Sequence, residues 1–132
     1  MNISCQCGAI KFKTPTPAPL SLYHCHCLEC RKQSASAFGT SAIFPLFELP
    51  PNPELGCWTR KTDKGHLLEC YFCKVCGTRM MHIRRNGTVV SVKGGCVEGL
   101  DWSNAKHIWC KRAVVPIPEG VERWEEEPPP KK

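Results

Sequence analysis

The amino-acid sequence predicts a mainly β protein of antiparallel strands, in which zinc-bound cysteine takes over part of the work of a core. Three observations carry that prediction. The segments between chain-breaking residues are short and rich in β-formers, helical periodicity is nearly absent, and 11 cysteines stand among 132 residues, seven of them in three tight clusters.

Taken in chain order, the candidate strands are 9–13, 21–24, 38–44, 66–72, 79–84 and 88–93, with another near 107–115. Asn86-Gly87 between two of them is a hairpin signal, because both residues tolerate positive φ. Pro15, Pro17 and Pro19 break the chain early, and Pro50, Pro51 and Pro53 with Asn52 and Gly56 read as an irregular stretch. At most a helical turn is expected around 29–35 or 101–105. The length is that of one domain, placed at residues 1–120. Residues 121–132, with Glu125-Glu126-Glu127 and a closing proline-lysine run, read as a flexible tail.

Composition narrows the function classes. The N-terminal residues lack the basic start and apolar stretch of a secretory signal, and no run approaches the roughly 18 apolar residues of a membrane span. The expected compartment is therefore the reducing cytoplasm, where clustered thiols favour metal over disulfides. The formal charge is +6; seven thiolates subtract seven charges and two zinc ions add four, leaving +3. That is weak for a nucleic-acid partner and compatible with an anionic small molecule.

The clusters are Cys5-Gln6-Cys7-Gly8, Cys25-His26-Cys27-Leu28-Glu29-Cys30 and Cys73-Lys74-Val75-Cys76-Gly77. The last is a knuckle: two intervening residues let both sulfurs reach one ion, and the glycine permits the tight turn. Cys5 and Cys7 would present both side chains on one face of an extended strand. Joined to Cys73 and Cys76 they complete a four-thiolate, saturated, structural site. A redox dithiol would instead need a following helix, and residues 78–83 read as a strand. Cys25, Cys27 and Cys30 give three ligands. Spacing alone leaves their fourth position open to water, to a histidine (His24, His26, His66, His82 or His107) or to Cys57, Cys70, Cys96 or Cys110. On a strand, His26 and His24 would face away from that ion. The four remaining cysteines read most simply as small buried apolar residues.

The three clusters, with His107-Ile108-Trp109 and its following basic pair, resemble the glutathione-dependent formaldehyde-activating enzyme family, which also contains centromere protein V. The family pattern is C-x-C-G, C-H-C-x-x-C-R, F-C-x-x-C-G-T and H-I-W. It stands here as Cys5–Gly8, Cys25–Arg31, Phe72–Thr78 and His107–Trp109. The chain departs from it at Ala35, Arg79 and 113–116, none of them a zinc ligand, and looks closer to short fungal members. The resemblance implies a β-tent fold with two zinc ions: Cys5, Cys7, Cys73 and Cys76 on the structural one, and Cys25, Cys27 and Cys30 on a catalytic one with an open position. It also implies carbon–sulfur lyase chemistry, the addition of glutathione thiol to formaldehyde or a related thiol-adduct reaction. His26, Glu29, His82 and Asp63 are candidates to manage the proton. Two other classes remain as readings: a zinc-hydroxide hydrolase or isomerase, and a non-catalytic zinc-stabilised interaction module.

Overall fold

Asn86-Gly87 turns the chain as the sequence predicts. In the computed structural model of the protein, which describes residues 1–129, Asn86 takes φ 63° and the Gly87 N–H bonds the Arg84 carbonyl at 2.9 Å. The turn joins Arg79–Arg84 to Val89–Lys93 as an antiparallel pair. The protein is mainly β with one α-helix, and its strands in chain order are β1 (Asn2–Ser4), β2 (Lys11–Lys13), β3 (Ser21–Cys25), β4 (Gly39–Pro45), β5 (Leu55–Lys61), β6 (Leu67–Cys73), β7 (Arg79–Arg84), β8 (Val89–Lys93) and β9 (Lys106–Ile108), with α1 (Leu28–Ser34) after β3. Two compact units divide the described chain, residues 1–21 with 42–100 and residues 22–41 with 101–129.

In the first unit β1 and β2 pair antiparallel, and β5, β6, β7 and β8 lie side by side in that order. The unit's part of β4 lies next to β8. The core holds Ile3, Ile10, Phe44, Met80, Val90 and Val92, all 2% exposed or less. On β8 the strand period is clean, with Val90 and Val92 buried between exposed or half-buried neighbours. On β7 it is broken: Met80, Met81 and His82 are all buried, because the register slips opposite Tyr71 and Phe72 and leaves Met80 as the extra residue of a bulge.

β5 is a strand where the prolines and glycine signalled irregular chain. Asn52 closes the irregular part as a turn, its Oδ1 accepting from the Glu54 N–H at 2.9 Å, and pairing with β6 begins at Leu55. Gly56 belongs to the strand because the Phe72 ring lies over it; a Cβ there would meet that ring at 2.5 Å. β1 ends at Ser4, just before the extended chain expected at Cys5 and Cys7. It is three residues long, too short to show a period.

In the second unit β3 lies between its part of β4 and β9. β3 and β9 run parallel, with Tyr23, His24 and Cys25 opposite Lys106, His107 and Ile108. The expected strand at 107–115 stops at Ile108, since Trp109 takes the left-handed φ of 57° and starts a 3-10 turn. The predicted helical turns at 29–35 and 101–105 form as α1 and as a 3-10 turn at 102–104. Residues 122–126 lie along β9: the His107 N–H bonds the Glu122 carbonyl, and the Trp124 N–H bonds that of His107, both at 3.0 Å. Of the expected tail, 130–132 fall outside the described residues.

α1 ends on Ala35 at φ 50°, ψ 42°, a conformation that costs a side chain with a Cβ about 1 kcal/mol and costs glycine almost nothing. Ala35→Gly should therefore stabilise the protein by about 0.5–1 kcal/mol in urea unfolding. Among the described residues no helix is long and apolar enough to cross a membrane.

Candidate metal centres

The first centre is built by two turns of similar design. After β1 the chain does not stay extended: Cys5 to Gly8 is a turn closed by the Gly8 N–H on the Cys5 carbonyl at 3.2 Å. This corrects the extended geometry expected for Cys5 and Cys7. After β6, Cys73 to Gly77 closes one residue wider, with the Gly77 N–H on the Cys73 carbonyl at 2.8 Å. Gly8 and Gly77 both take φ +80°, which only glycine adopts without strain. The first cysteine of each turn also donates its N–H five residues ahead, Cys5 to Ile10 and Cys73 to Thr78. The Thr78 hydroxyl links the turns: it contacts the Cys76 sulfur at 3.1 Å and accepts from the Gln6 N–H at 3.1 Å.

These turns bring the sulfurs of Cys5, Cys7, Cys73 and Cys76 within 4.8 Å of one another. The Cys5–Cys7 and Cys7–Cys73 separations are 3.7 and 3.8 Å. Tetrahedral zinc with Zn–S bonds near 2.3 Å has sulfur–sulfur edges of about 3.8 Å. The donor set and its spacing therefore fit zinc. Thiolate character is favoured at Cys76 and Cys5, while at Cys7 the bond from the Ala9 N–H is outweighed by burial and the neighbouring thiols, which push it up to about 12. Hydrogen bonds from the Thr78 hydroxyl and then the Thr78 and Cys7 N–H groups bring Cys76 down to about 5. Burial pushes the Cys5 thiol up, but bonds from the Ile10 N–H and the Cys7 and Cys73 thiols outweigh it and bring Cys5 down.

The second centre lies at the junction of β3 and α1. Cys25 ends the strand and is buried, Cys27 is the N-cap of the helix, and Cys30 sits in its first turn. Capping turns the Cys27 sulfur toward the helix backbone, where it accepts the Cys30 N–H at 3.3 Å. The three sulfurs lie within 4.8 Å of one another, and among the described residues the cluster contains no fourth cysteine, histidine or acidic ligand. Hydrogen bonds from the Cys25 and Cys30 thiols and the Cys30 and Glu29 N–H groups pull Cys27 down to about 2. Its bonds to Cys27 and Cys30 push Cys25 up. One thiolate collecting donors from two thiols is a site where a cation can replace the shared protons.

Three imidazoles surround this strand-to-helix junction. His26, between two of the sulfurs in sequence, is fully buried and turns its ring to His107, Nε2 to Nδ1 at 2.9 Å. His24 faces His107 across the β3–β9 register, bonds the Thr40 hydroxyl at 2.8 Å, and packs on Phe38 at 4.7 Å between ring centres. Burial, and then the neighbouring His107 and His26, press His24 down to about 4, and burial lowers His26 and His107 as well. All three are neutral near pH 7. The Nδ1 atom of His26 is buried without a hydrogen-bond partner.

Of the candidates to manage a proton, His26 alone belongs to this cluster. Glu29 is exposed on α1, and His82 and Asp63 belong to the other unit, on β7 and in the turn before β6. His24 and His107 pack against one another and His107 against His26, a grouping that their spacing in the sequence does not announce. His107 stands in the H-I-W motif, which was the one available signal.

The family profile for the glutathione-dependent formaldehyde-activating enzyme matches residues 1–112. A crystal structure of a Rhodobacter sphaeroides protein is similar to this one with a TM-score of 0.56 and 22% identity, over 79% of this chain and 94% of that one. That likeness speaks for the fold. No curated protein matches the chain significantly. The profile spans both cysteine centres and the β9 histidine, and the chain belongs to the glutathione-dependent formaldehyde-activating enzyme family.

Proposed function

We propose that the protein is a zinc-dependent carbon–sulfur lyase of the S-(hydroxymethyl)glutathione synthase type. In this reading Cys25, Cys27 and Cys30 form the reacting centre, and Cys5, Cys7, Cys73 and Cys76 hold a structural zinc. One observation carries it: one cluster offers four sulfurs and the other only three. Four protein ligands saturate a tetrahedral ion, whereas three leave a position for water or substrate. Family membership supplies the reaction class.

In that reaction the sulfur of a thiol bonds the carbonyl carbon of formaldehyde, the carbonyl π pair moves to oxygen, and the thiol proton ends on that oxygen. A zinc ion bound at the three sulfurs supplies Lewis acidity, which favours a substrate thiol as thiolate and polarises a carbonyl. The chain's own residues do the rest. Cys27, held as thiolate by the Cys25 and Cys30 thiols and then by helix N–H groups, anchors the centre. The neutral His26–His107 pair, joined by one hydrogen bond and with His26 next to Cys25 and Cys27 in the chain, is the candidate to take up and return the proton. A hollow beside α1 lined by Leu28, Arg31, Lys32, Ala35 and Ser36 presents two cations to the carboxylates of a small anionic thiol such as glutathione.

None of the eleven cysteines is in a disulfide, which suits the reducing cytoplasm. The test is exchange of formaldehyde with S-(hydroxymethyl)glutathione, followed by NMR with and without protein. Saturable acceleration over buffer is expected. No acceleration at any glutathione concentration would remove glutathione as the thiol.

A further inference from the structure

The unit containing β5–β8 carries chemistry that neither metal centre uses. Across β5, β6, β7 and β8 the register aligns Trp58, Cys70, His82 and Ser91 as successive partners. Directly opposed residues share one face of an antiparallel sheet. Arg60 and Lys93 stand two residues beyond Trp58 and Ser91, so the strand period puts them on the same face. The bulge in β7 brings Arg79 there too, with its guanidinium 5.6 Å from the centre of the Trp58 ring. The charges of Arg60, Arg79 and Lys93 all act on both His82 and Cys70.

The two arginines of this face lack an acid among the described residues. Glu69 precedes Cys70 on β6, which puts it on the opposite face; it pairs with Arg85 and accepts from the Tyr71 hydroxyl. Among the described residues no ion pair engages Arg60 or Arg79. Two polar groups here are also orphaned. Nε2 of His82, a side chain only 7% exposed, and Nε of Arg79 are buried without a hydrogen-bond partner. Buried donors of this kind are rare in folded proteins and call for a partner that accepts.

We propose that this face is a binding site for a small oxyanion, a carboxylate or phosphate, gripped by Arg79 with Arg60 and Lys93, bonded by His82 Nε2–H, and walled by Trp58. Arg79 presents the planar fork that suits either oxyanion. Burial, and then Lys93, Arg79 and Arg60, hold His82 neutral, down to about 2. It therefore serves as a neutral donor, not a fourth cation. The same surrounding charge makes the face unsuited to a metal ion despite its thiol and imidazole. Trp58, 53% exposed, leaves an apolar edge against which the rest of such a ligand can lie.

The test uses the full-length, zinc-loaded protein titrated with inorganic phosphate and, separately, acetate. Ionic strength is held constant with sodium chloride. The His82 ring proton, assigned by its loss in His82→Gln, is followed by NMR. At least one anion is expected to give a saturating shift, and the one that saturates at lower concentration names the headgroup. Arg79→Gln should weaken binding about tenfold or more, the loss of a charge-assisted pair. Arg60→Gln, at a half-buried position on the outer strand, should weaken it roughly three- to tenfold and keeps the test valid if the Arg79 variant misfolds. Lys13→Gln, on exposed β2, should change nothing. A shift that never saturates, or one that saturates equally in both arginine variants, overturns the site.

Discussion

Cys76→Ser is expected to cost the protein one zinc ion and its cooperative fold. The four-sulfur centre joins the turn after β1 to the turn between β6 and β7, segments about 70 residues apart in the chain. β1 and β2 are three residues each, far below what a hairpin needs to stand alone. A structural zinc contributes an apparent ~10–16 kcal/mol to the folding of small domains, against a net stability of about 5–15 kcal/mol. Losing one ligand removes a large part of that, along with the bonds that tie the Cys76 sulfur to Thr78 and Thr78 to Gln6. Metal analysis should fall from two zinc ions to about one per chain, as expected for loss of a saturated site. In thermal unfolding the transition should vanish or drop by more than about 15 °C, taking a loss of at least about 5 kcal/mol at roughly 3 °C per kcal/mol. Two zinc ions at an unchanged melting temperature would show that the four sulfurs are not one centre.

Cys27→Ser should separate chemistry from folding. It also removes one zinc ion per chain, but serine is among the best N-cap residues, so its hydroxyl can still accept the Cys30 N–H that starts α1. The melting temperature should move by less than about 5 °C, a loss of about 1 kcal/mol. Formaldehyde exchange should fall to the rate in buffer. The contrast between the two serine variants matters more than either alone. If Cys27→Ser unfolds the protein as fully as Cys76→Ser, the division into a reacting and a structural centre is wrong.

Much of both centres was legible because their signals are local. Gly8 and Gly77 mark the tight turns, the spacing of the sulfurs brings pairs of thiols together, and Asn86-Gly87 sets the β7–β8 hairpin. What escaped depends on distant chain. Cys5 and Cys7 sit on a turn because the Cys5 N–H and the Ile10 carbonyl close it, a bond that an i, i+2 spacing does not announce. β5 was masked by Gly56, whose place in a strand makes sense only with the Phe72 ring above it. His24 and His107 meet through the parallel pairing of strands more than 80 residues apart, and no hairpin rule reaches that far. Once paired, they gather with His26 into a set of neutral imidazoles in contact with one another.

In the proposed reading, one zinc is saturated by protein sulfur while the other keeps a free position. X-ray absorption at the zinc edge of the two-zinc protein measures this directly. Four sulfurs at one centre and three at the other predict a mean of three and a half sulfurs per zinc, with half a light oxygen scatterer and no imidazole ring signature. A mean of four sulfurs, or a clear imidazole contribution, would show that a spare cysteine or a histidine closes the second site and would contradict the account.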